Sequence, residues 1–141
     1  MRKSKSFRIV IDTNLWIHFI ISNTYNKLDP FLLKNELLIL FCAELMDEIK
    51  RCITKPKLKK YFSEKQSFDE MLNVFDPFIH FIDINHSVNL CRDPKDNFLL
   101  SLAIEGNADY LITGDKDLLV IGKFQKTKMV SFSQFLQLMN K

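Results

Sequence analysis

The chain has 141 residues, 47% of them hydrophobic, which suits one folded domain over residues 1–141 and excludes a disordered chain. Its 20 basic and 17 acidic residues give a mild net charge of +3. No apolar run is long enough to cross a bilayer. Asp12 interrupts the apolar stretch that follows the basic first residues, so we expect no signal peptide and no contact with a membrane.

Continuous apolar runs alternate with helical patterns along the chain. The first run, residues 7–11, is typical of a strand buried on both faces. Further strands are predicted at 37–41, 78–82, 109–113 and 129–132. Helices are predicted at about 14–22, 42–54, 63–75 and 94–106 and from 133, with a loop at 25–30, a short helix to about 35 and a turn at 57–62. This order predicts an α/β/α sandwich around a mostly parallel sheet of about five strands.

Two further features concern cysteines and lysines. Cys42, Cys52 and Cys91 are odd in number and lack C-x-x-C spacing, which favours reduced thiols in the cytoplasm over disulfides or a zinc site. Basic residues are grouped at 50–60 and at 123–128. Such groups are either solvated surface or phosphate contacts, and the sequence leaves both open.

Five acidic residues lie where predicted strands end or helices begin, next to apolar residues. Carboxylates near a core are costly unless a partner compensates their charge, and no equal set of basic residues is interleaved with them. A divalent cation would compensate them, so the pattern indicates a metal site. The five are Asp12, Glu48, Asp96, Asp115 and Asp117.

Asp12 ends the first predicted strand, and Asp115 lies just past the fourth. Ligands of an open α/β sheet bind beyond the carboxyl ends of its strands, so these two carboxylates are predicted to converge. Two simpler interpretations stay open. Asp12 merely caps the next helix, or the segment 115–117 is a plain polar turn.

Glu48 is selected by helical periodicity. At about 100° per residue it falls between Leu45 and Cys52, at the edge of the apolar stripe, whereas Glu44 is turned further towards solvent. Glu48 is therefore the better inward-facing ligand. The alternative is a glutamate whose carboxylate reaches the surface.

Asp93 and Asp96 flank the start of the helix predicted to begin at Pro94, with Asp93 as its N-cap. The helix dipole favours acids there without any metal, which is a sufficient explanation for Asp93. Asp96 shares its face with Leu99 and Ala103, the stripe expected to pack on the sheet. We therefore predict that Asp96 ligates a metal.

Taken together, these segments resemble the PIN-domain family of metal-dependent ribonucleases. The motifs are Asp12-Thr13-Asn14, the helix from Glu44 to Ile49 leading to Lys55-Pro56-Lys57-Leu58, Asp93-Pro94-Lys95-Asp96-Asn97-Phe98, and Ala108 to Leu119 with Thr113-Gly114-Asp115-Lys116-Asp117. They follow the family's order from about residue 7 to 132. More narrowly, the chain is similar to the PIN proteins regarded as toxins of toxin–antitoxin pairs.

The resemblance implies a role for each motif. In the family, four carboxylates hold Mg²⁺ or Mn²⁺, and some members use a fifth, which corresponds to Asp117. On this sequence the four are Asp12, Glu48, Asp96 and Asp115, with Glu44 competing for the second place. The family's small polar residue near the first acid corresponds to Thr13 or Asn14, and a similar one corresponds to Thr113.

Oxygen ligands without histidine or thiolate favour Mg²⁺ or Mn²⁺ over zinc, and four or five acids suggest two ions that activate water and stabilise a leaving oxygen. The expected reaction is hydrolysis of phosphodiester bonds in single-stranded RNA, whose unstacked bases proteins reach most easily. The resemblance implies a 5′ phosphate and a 3′ hydroxyl as products. Lys116 and the block 55–60, which contains Lys57, are predicted to hold the RNA backbone.

The resemblance also implies an antitoxin that covers the acidic cleft, and it allows a homodimer. Two alternatives stay open. A haloacid-dehalogenase-like phosphatase also carries an aspartate after its first strand, but its chemistry requires a second acid two residues later, where this chain has Asn14. A non-catalytic PIN-like module that binds RNA or a protein is the other alternative.

Overall fold

The computed structural model describes residues 6–22, 25–28, 30–31, 34, 37–55, 66–84 and 94–140. Within these ranges six strands form one sheet in the order β3-β2-β1-β4-β6-β5. All neighbouring strands are parallel except β5 and β6, which are antiparallel. The strands are β1 (Phe7–Ile11), β2 (Leu37–Phe41), β3 (Ile79–Phe81), β4 (Tyr110–Ile112), β5 (Lys123–Phe124) and β6 (Thr127–Val130).

Helices connect the parallel strands. In the described ranges they are α1 (Thr13–Ser22), α2 (Ala43–Ile53), α3 (Gln66–Phe75), α4 (Pro94–Glu105), α5 (Lys116–Leu119) and α6 (Phe132–Met139). Single 3₁₀ turns occupy Tyr25–Leu28 and Asp76–Phe78. None of the helices in the described part of the chain is long and apolar enough to span a membrane.

The sheet is covered by helices on both faces. Successive side chains of a strand point to opposite faces, and two neighbours in β2 show what lies on each side. Phe41 packs against Trp16 of α1, with ring centroids 5.2 Å apart. Leu40 lies against Gly106, at the end of α4. The predicted three-layer α/β/α architecture is therefore confirmed, and the fully buried Ile9, Val10 and Ile11 explain why β1 reads as a continuous apolar run.

The structure corrects three of the sequence predictions. The sheet has a sixth strand, β5, that was not predicted. The last strand ends at Val130, two residues earlier than predicted, because Ser131 forms a capping box with Gln134 and starts α6. The segment predicted as a loop at 25–30 contains a 3₁₀ turn.

Several predictions concern residues that the structure does not describe. They are the turn at 57–62, the helix start at Ser63, most of the short helix ending near residue 35, the cap at Asp93 and the thiol of Cys91. They stay predictions. The helix start at Pro94 is described and confirmed.

The end of α4 fixes how this helix lies on the sheet. The backbone N–H of Ala108 donates to the carbonyl of Ala103 over 2.8 Å, and Asn107, with φ 53°, donates to Ile104 over 3.1 Å. This is a Schellman motif with Asn107 in the left-handed position. The turn brings Gly106 so close to the sheet that an added Cβ would lie 2.6 Å from a methyl carbon of Leu40.

We expect Gly106→Ala to destabilise the protein by about 1–3 kcal/mol, because Leu40 is fully buried and cannot move aside without repacking the core. Urea unfolding measures the change. Gly114→Ala is the matched control, since an added Cβ there meets no atom within 4 Å. Equal stability of the two variants would contradict the tight contact between α4 and β2.

Candidate functional site

The site lies where the direction of the sheet reverses. From β1 the chain continues to β2 and β3 on one side, and it later returns to β4 and β6 on the other side. The carboxyl ends of β1 and β4 therefore flank the crevice where open α/β sheets bind ligands. Ile11 pairs with Ile112, so the residues that follow, Asp12 and Thr113, come side by side.

Asp12 is buried and hydrogen-bonded on both carboxylate oxygens. Its side chain is 4% exposed. Oδ1 accepts from the backbone N–H of Leu15 over 2.7 Å, which caps α1, and Oδ2 accepts from the hydroxyl of Thr113. The capping interpretation is thus correct, but it occupies one oxygen of a carboxylate whose other oxygen faces β4.

Thr113 connects the two strand ends. Its side chain is 1% exposed, and its hydroxyl donates to Asp12 while accepting from the backbone N–H of Asp115 over 3.0 Å. Its own N–H donates to the carbonyl of Val130 over 2.9 Å. Asp115 in turn caps α5 by accepting from the N–H of Asp117 over 2.9 Å. One hydroxyl therefore fixes Asp12 relative to the loop that carries Asp115.

Electrostatics agree with this proximity. Burial raises the pKa of Asp12, hydrogen bonds from Thr113, Leu15 and Gly114 oppose that rise, and the negative charge of Asp115 adds to it. The two carboxylates are therefore close enough to repel each other electrostatically across the crevice. A cation between them would favour the ionised form of both.

Glu48 and Glu44 lie where helical periodicity places them. Glu48 is half-buried on α2, beside the fully buried Leu45 and Ile49, whereas Glu44 is exposed. Helix α2 packs against α1, which begins next to Asp12. The choice of Glu48 over Glu44 as a ligand agrees with this burial and stays a prediction.

Asp96 lies in the first turn of α4, and its side chain is outside the described residues. The face predicted to pack on the sheet does so, since Leu99 and Ala103 are buried and α4 contacts β1, β2 and β4. The start of α4 follows β3 in the chain, but the structure describes no distance from Asp96 to the other acids. Its role as a ligand stays a prediction.

The other predicted residues differ in accessibility. Asp117 is half-buried, Lys116 and Asn14 are exposed, and Lys57 lies outside the described residues. Thr13 is buried, and its hydroxyl is one of two buried side-chain polar atoms without a hydrogen-bond partner among the described residues. This hydroxyl lies one residue from Asp12, and its role as a substrate contact stays a prediction.

The profile of the PIN domain matches residues 8–117 of this sequence, which is more than half of the chain. The chain belongs to the PIN-domain family. A relative that is 31% identical over 121 residues, covering 84% of this chain and 77% of its own length, is the uncharacterized protein MJ1680 of Methanocaldococcus jannaschii. PIN domains are generally nucleases and typically use divalent metal ions.

A solved structure has the same fold as this PIN domain. It is the crystal structure of VapBC2 from Rickettsia felis bound to a DNA fragment from their promoter. The match has a TM-score of 0.61 at 16% identity, and it covers 87% of this chain and 97% of that one. At this identity the likeness supports the fold alone.

The donor atoms of the PIN site fit a hard cation. Asp12 and Asp115 carry carboxylate oxygens, the ligand atoms that hard cations prefer. Among the described residues, no group of three or more histidine, cysteine, aspartate or glutamate side chains is placed to hold a metal. Glu48 and Asp117 are among the described residues and do not complete such a group, whereas the side chain of Asp96 lies outside them. The metal site therefore stays a proposal.

Sequence reasoning missed the position of Cys42. Ile9 pairs with Ile39, and continuing this register places Cys42 beside Asp12 at the same edge of the sheet. Cys42 is 1% exposed, and burial raises the pKa of its thiol to about 11. Cys42 and Cys52 are free thiols, as predicted.

We expect Cys42 to resist iodoacetamide at pH 8, because only about a thousandth of a thiol with this pKa is ionised there and the group is buried. Cys52, which is half-buried, is the internal comparison. Peptide mass spectrometry before and after unfolding in urea measures both. Labelling of Cys42 as fast as in unfolded protein would contradict its burial.

We expect Thr113→Val to destabilise the protein by about 1–3 kcal/mol, because Asp12 loses a donor and the N–H of Asp115 loses its acceptor. Thr113→Ser keeps the hydroxyl and should retain most of the stability. Urea unfolding compares the two variants. A valine variant as stable as the serine variant would show that the hydroxyl does not hold the crevice together.

Proposed function

We propose that this PIN protein is a Mg²⁺- or Mn²⁺-dependent endoribonuclease that hydrolyses single-stranded RNA. The observation that supports this most directly is the buried carboxylate of Asp12, held by Thr113 at the sheet's switch point and next to Asp115. Burying a carboxylate beside a second one costs free energy unless hydrogen bonds or a bound cation compensate the charge. A bound dication would compensate both carboxylates, and it also agrees with the family.

Four acids would hold the metal, with Asp117 as a further ligand. When bound, Mg²⁺ or Mn²⁺ would supply a water nucleophile at neutral pH and neutralise charge on the phosphodiester. The chain's own contribution is orientation, since two hydrogen bonds fix the carboxylate of Asp12 before any ligand arrives. The four proposed ligands are Asp12, Glu48, Asp96 and Asp115.

Substrate contacts are proposed around this centre. Lys116 directly follows Asp115 and is exposed, so its ammonium group can contact a phosphate of the RNA. Thr13 and Asn14 begin α1 beside Asp12, one hydroxyl buried and one amide exposed. Lys57 is proposed to extend the phosphate contacts from the block 55–60.

We further propose that the protein is the cytoplasmic toxin of a toxin–antitoxin pair. This rests on the resemblance to PIN toxins and on the likeness in fold to VapBC2, which was crystallised bound to a DNA fragment from their promoter. An antitoxin that covers the crevice would keep RNA away from Asp12. Co-expression with the product of the neighbouring reading frame tests for such a partner, and a homodimer stays a prediction.

We expect Asp12→Asn and Glu48→Gln each to lower RNA cleavage by more than about 100-fold. Loss of a residue that only hydrogen-bonds to a metal ligand typically costs about 10–100-fold, and loss of the ligand itself should cost more. Glu44→Gln is the matched control, since Glu44 is an exposed acid on the same helix. Cleavage of a fluorescent single-stranded RNA with added Mn²⁺ measures the effect.

Thermal unfolding supplies a readout that does not need turnover. Mn²⁺ should raise the melting temperature of the wild type and of Glu44→Gln but not of Asp12→Asn, because an ion stabilises only the state that binds it. Equal cleavage by Asp12→Asn and wild type would refute the nuclease site. RNA binding without cleavage at millimolar Mn²⁺ would instead support the non-catalytic alternative.

A further inference from the structure

A groove of about 360 Å³ lies between β6 and α6, away from the Asp12 crevice. Its volume is in the range of pockets that hold small ligands. The side of the groove formed by α6 contains two glutamines and a leucine, and the side formed by β6 contains a lysine and two mostly buried apolar residues. Residues that line the groove include Lys128, Met129, Val130, Gln134, Gln137 and Leu138.

The rim of the groove carries uncompensated positive charge. Lys123 of β5 and Lys128 of β6 are exposed and lie directly opposite each other in the antiparallel register. Like charges in that arrangement repel. The third lysine of the hairpin, Lys126, lies 3.6 Å from a carboxylate oxygen of Asp109, whereas the described residues provide no such partner for Lys123 or Lys128. The segment 121–131 contains no acidic residue.

Helix α6 adds hydrogen-bond donors and an apolar wall. Gln134 and Gln137 are three residues apart, so they share one face of α6, and both are exposed. The side-chain oxygen of Gln134 accepts from the N–H of Ser131 over 2.9 Å, which leaves its Nε2 as a donor. Leu138, the next position on this face, is 36% exposed. Amide donors, ammonium groups and an apolar wall together match a nucleotide, with its phosphate, base edge and ring face.

The groove is joined to the crevice through β6. The carbonyl of Val130, in the lining, accepts the N–H of Thr113, whose hydroxyl holds Asp12. Lys128 lies two residues before Val130, roughly 7 Å further along the strand. An RNA strand bound at the lysines can therefore continue along β6 into the crevice within a few nucleotides.

Protection of a sheet edge is the simpler explanation of the lysines, because charged side chains on a short edge strand block pairing with other chains. It explains Lys123 on β5. It does not account for the glutamines and the exposed Leu138 that face the same groove from α6. A protein partner would need an acidic surface to neutralise the two lysine charges on the rim.

We propose that this groove is an exosite that binds one nucleotide of the RNA substrate outside the scissile position. Its phosphate lies between Lys123 and Lys128, and its ribose and base lie between Gln137 and Leu138. The proposal rests on the proposed function, because it takes RNA as the substrate. It adds a second contact surface that fixes how the RNA approaches the crevice.

The test measures binding of a short fluorescein-labelled oligouridylate to Asp12→Asn protein, so that cleavage does not interfere. Adding Lys123→Ala and Lys128→Ala should lower the affinity about tenfold and reduce the slope of log affinity against log salt by about 0.7, the contribution of the one phosphate of a single strand that the two lysines hold. The control pair is Lys27→Ala with Lys34→Ala, two exposed lysines elsewhere in the chain.

Gln137→Ala supplies a second measurement. It should weaken binding while leaving the salt dependence unchanged, because the amide carries no charge. Unaltered affinity in the Lys123 and Lys128 double variant, or an equal loss in the control pair, would overturn the exosite and would point to a protein partner or to general charge attraction.

The two proposals fail separately. Wild-type protein that binds the oligouridylate through these lysines but never cleaves RNA would contradict the nuclease and leave the exosite intact. Cleavage that is lost with Asp12, combined with RNA binding that ignores Lys123 and Lys128, would do the reverse.

Discussion

The hydrogen bond between Thr113 and Asp12 is the contact on which the functional edge of this PIN domain depends. It joins the ends of two strands whose residues are 101 positions apart in the sequence. The same hydroxyl accepts the N–H of Asp115, so one small side chain fixes both carboxylates. Because this group is buried, water cannot replace it when it is removed. Asp12 and Asp115 are thus positioned by the ends of β1 and β4.

Much of the fold could be predicted because local and global signals agree. The run at Phe7–Ile11 is apolar except at Arg8, and its last three residues are buried on both faces of the sheet. Pro94 starts a helix because its fixed φ suits the first helical position, where its missing N–H would have no partner within the helix. β5 and the turn that joins it to β6 gave no such signal. The strand is short, and the turn places Gln125 at a φ of 54°, where Asn or Gly would have indicated a turn.

The site was predictable in part, for a related physical reason. Asp12 and Asp115 could be selected because acids after parallel strands share one edge of a sheet. The role of Thr113 could not, since it depends on the register that pairs Ile11 with Ile112. Cys42 has the same explanation, because only the β1–β2 register places it beside Asp12. Which side chains lie next to each other across two strands depends on how distant segments pair. The periodicity within one segment does not predict that pairing.

The order of the sheet has a consequence for how the protein is made. β1 occupies a central place, between β2 and β4, although it precedes both of them in the chain. A nascent chain that has reached α3 holds Asp12 without the hydroxyl that orients it, because β4 has not yet been translated. The Asp12 crevice therefore assembles only after β4 has been synthesised.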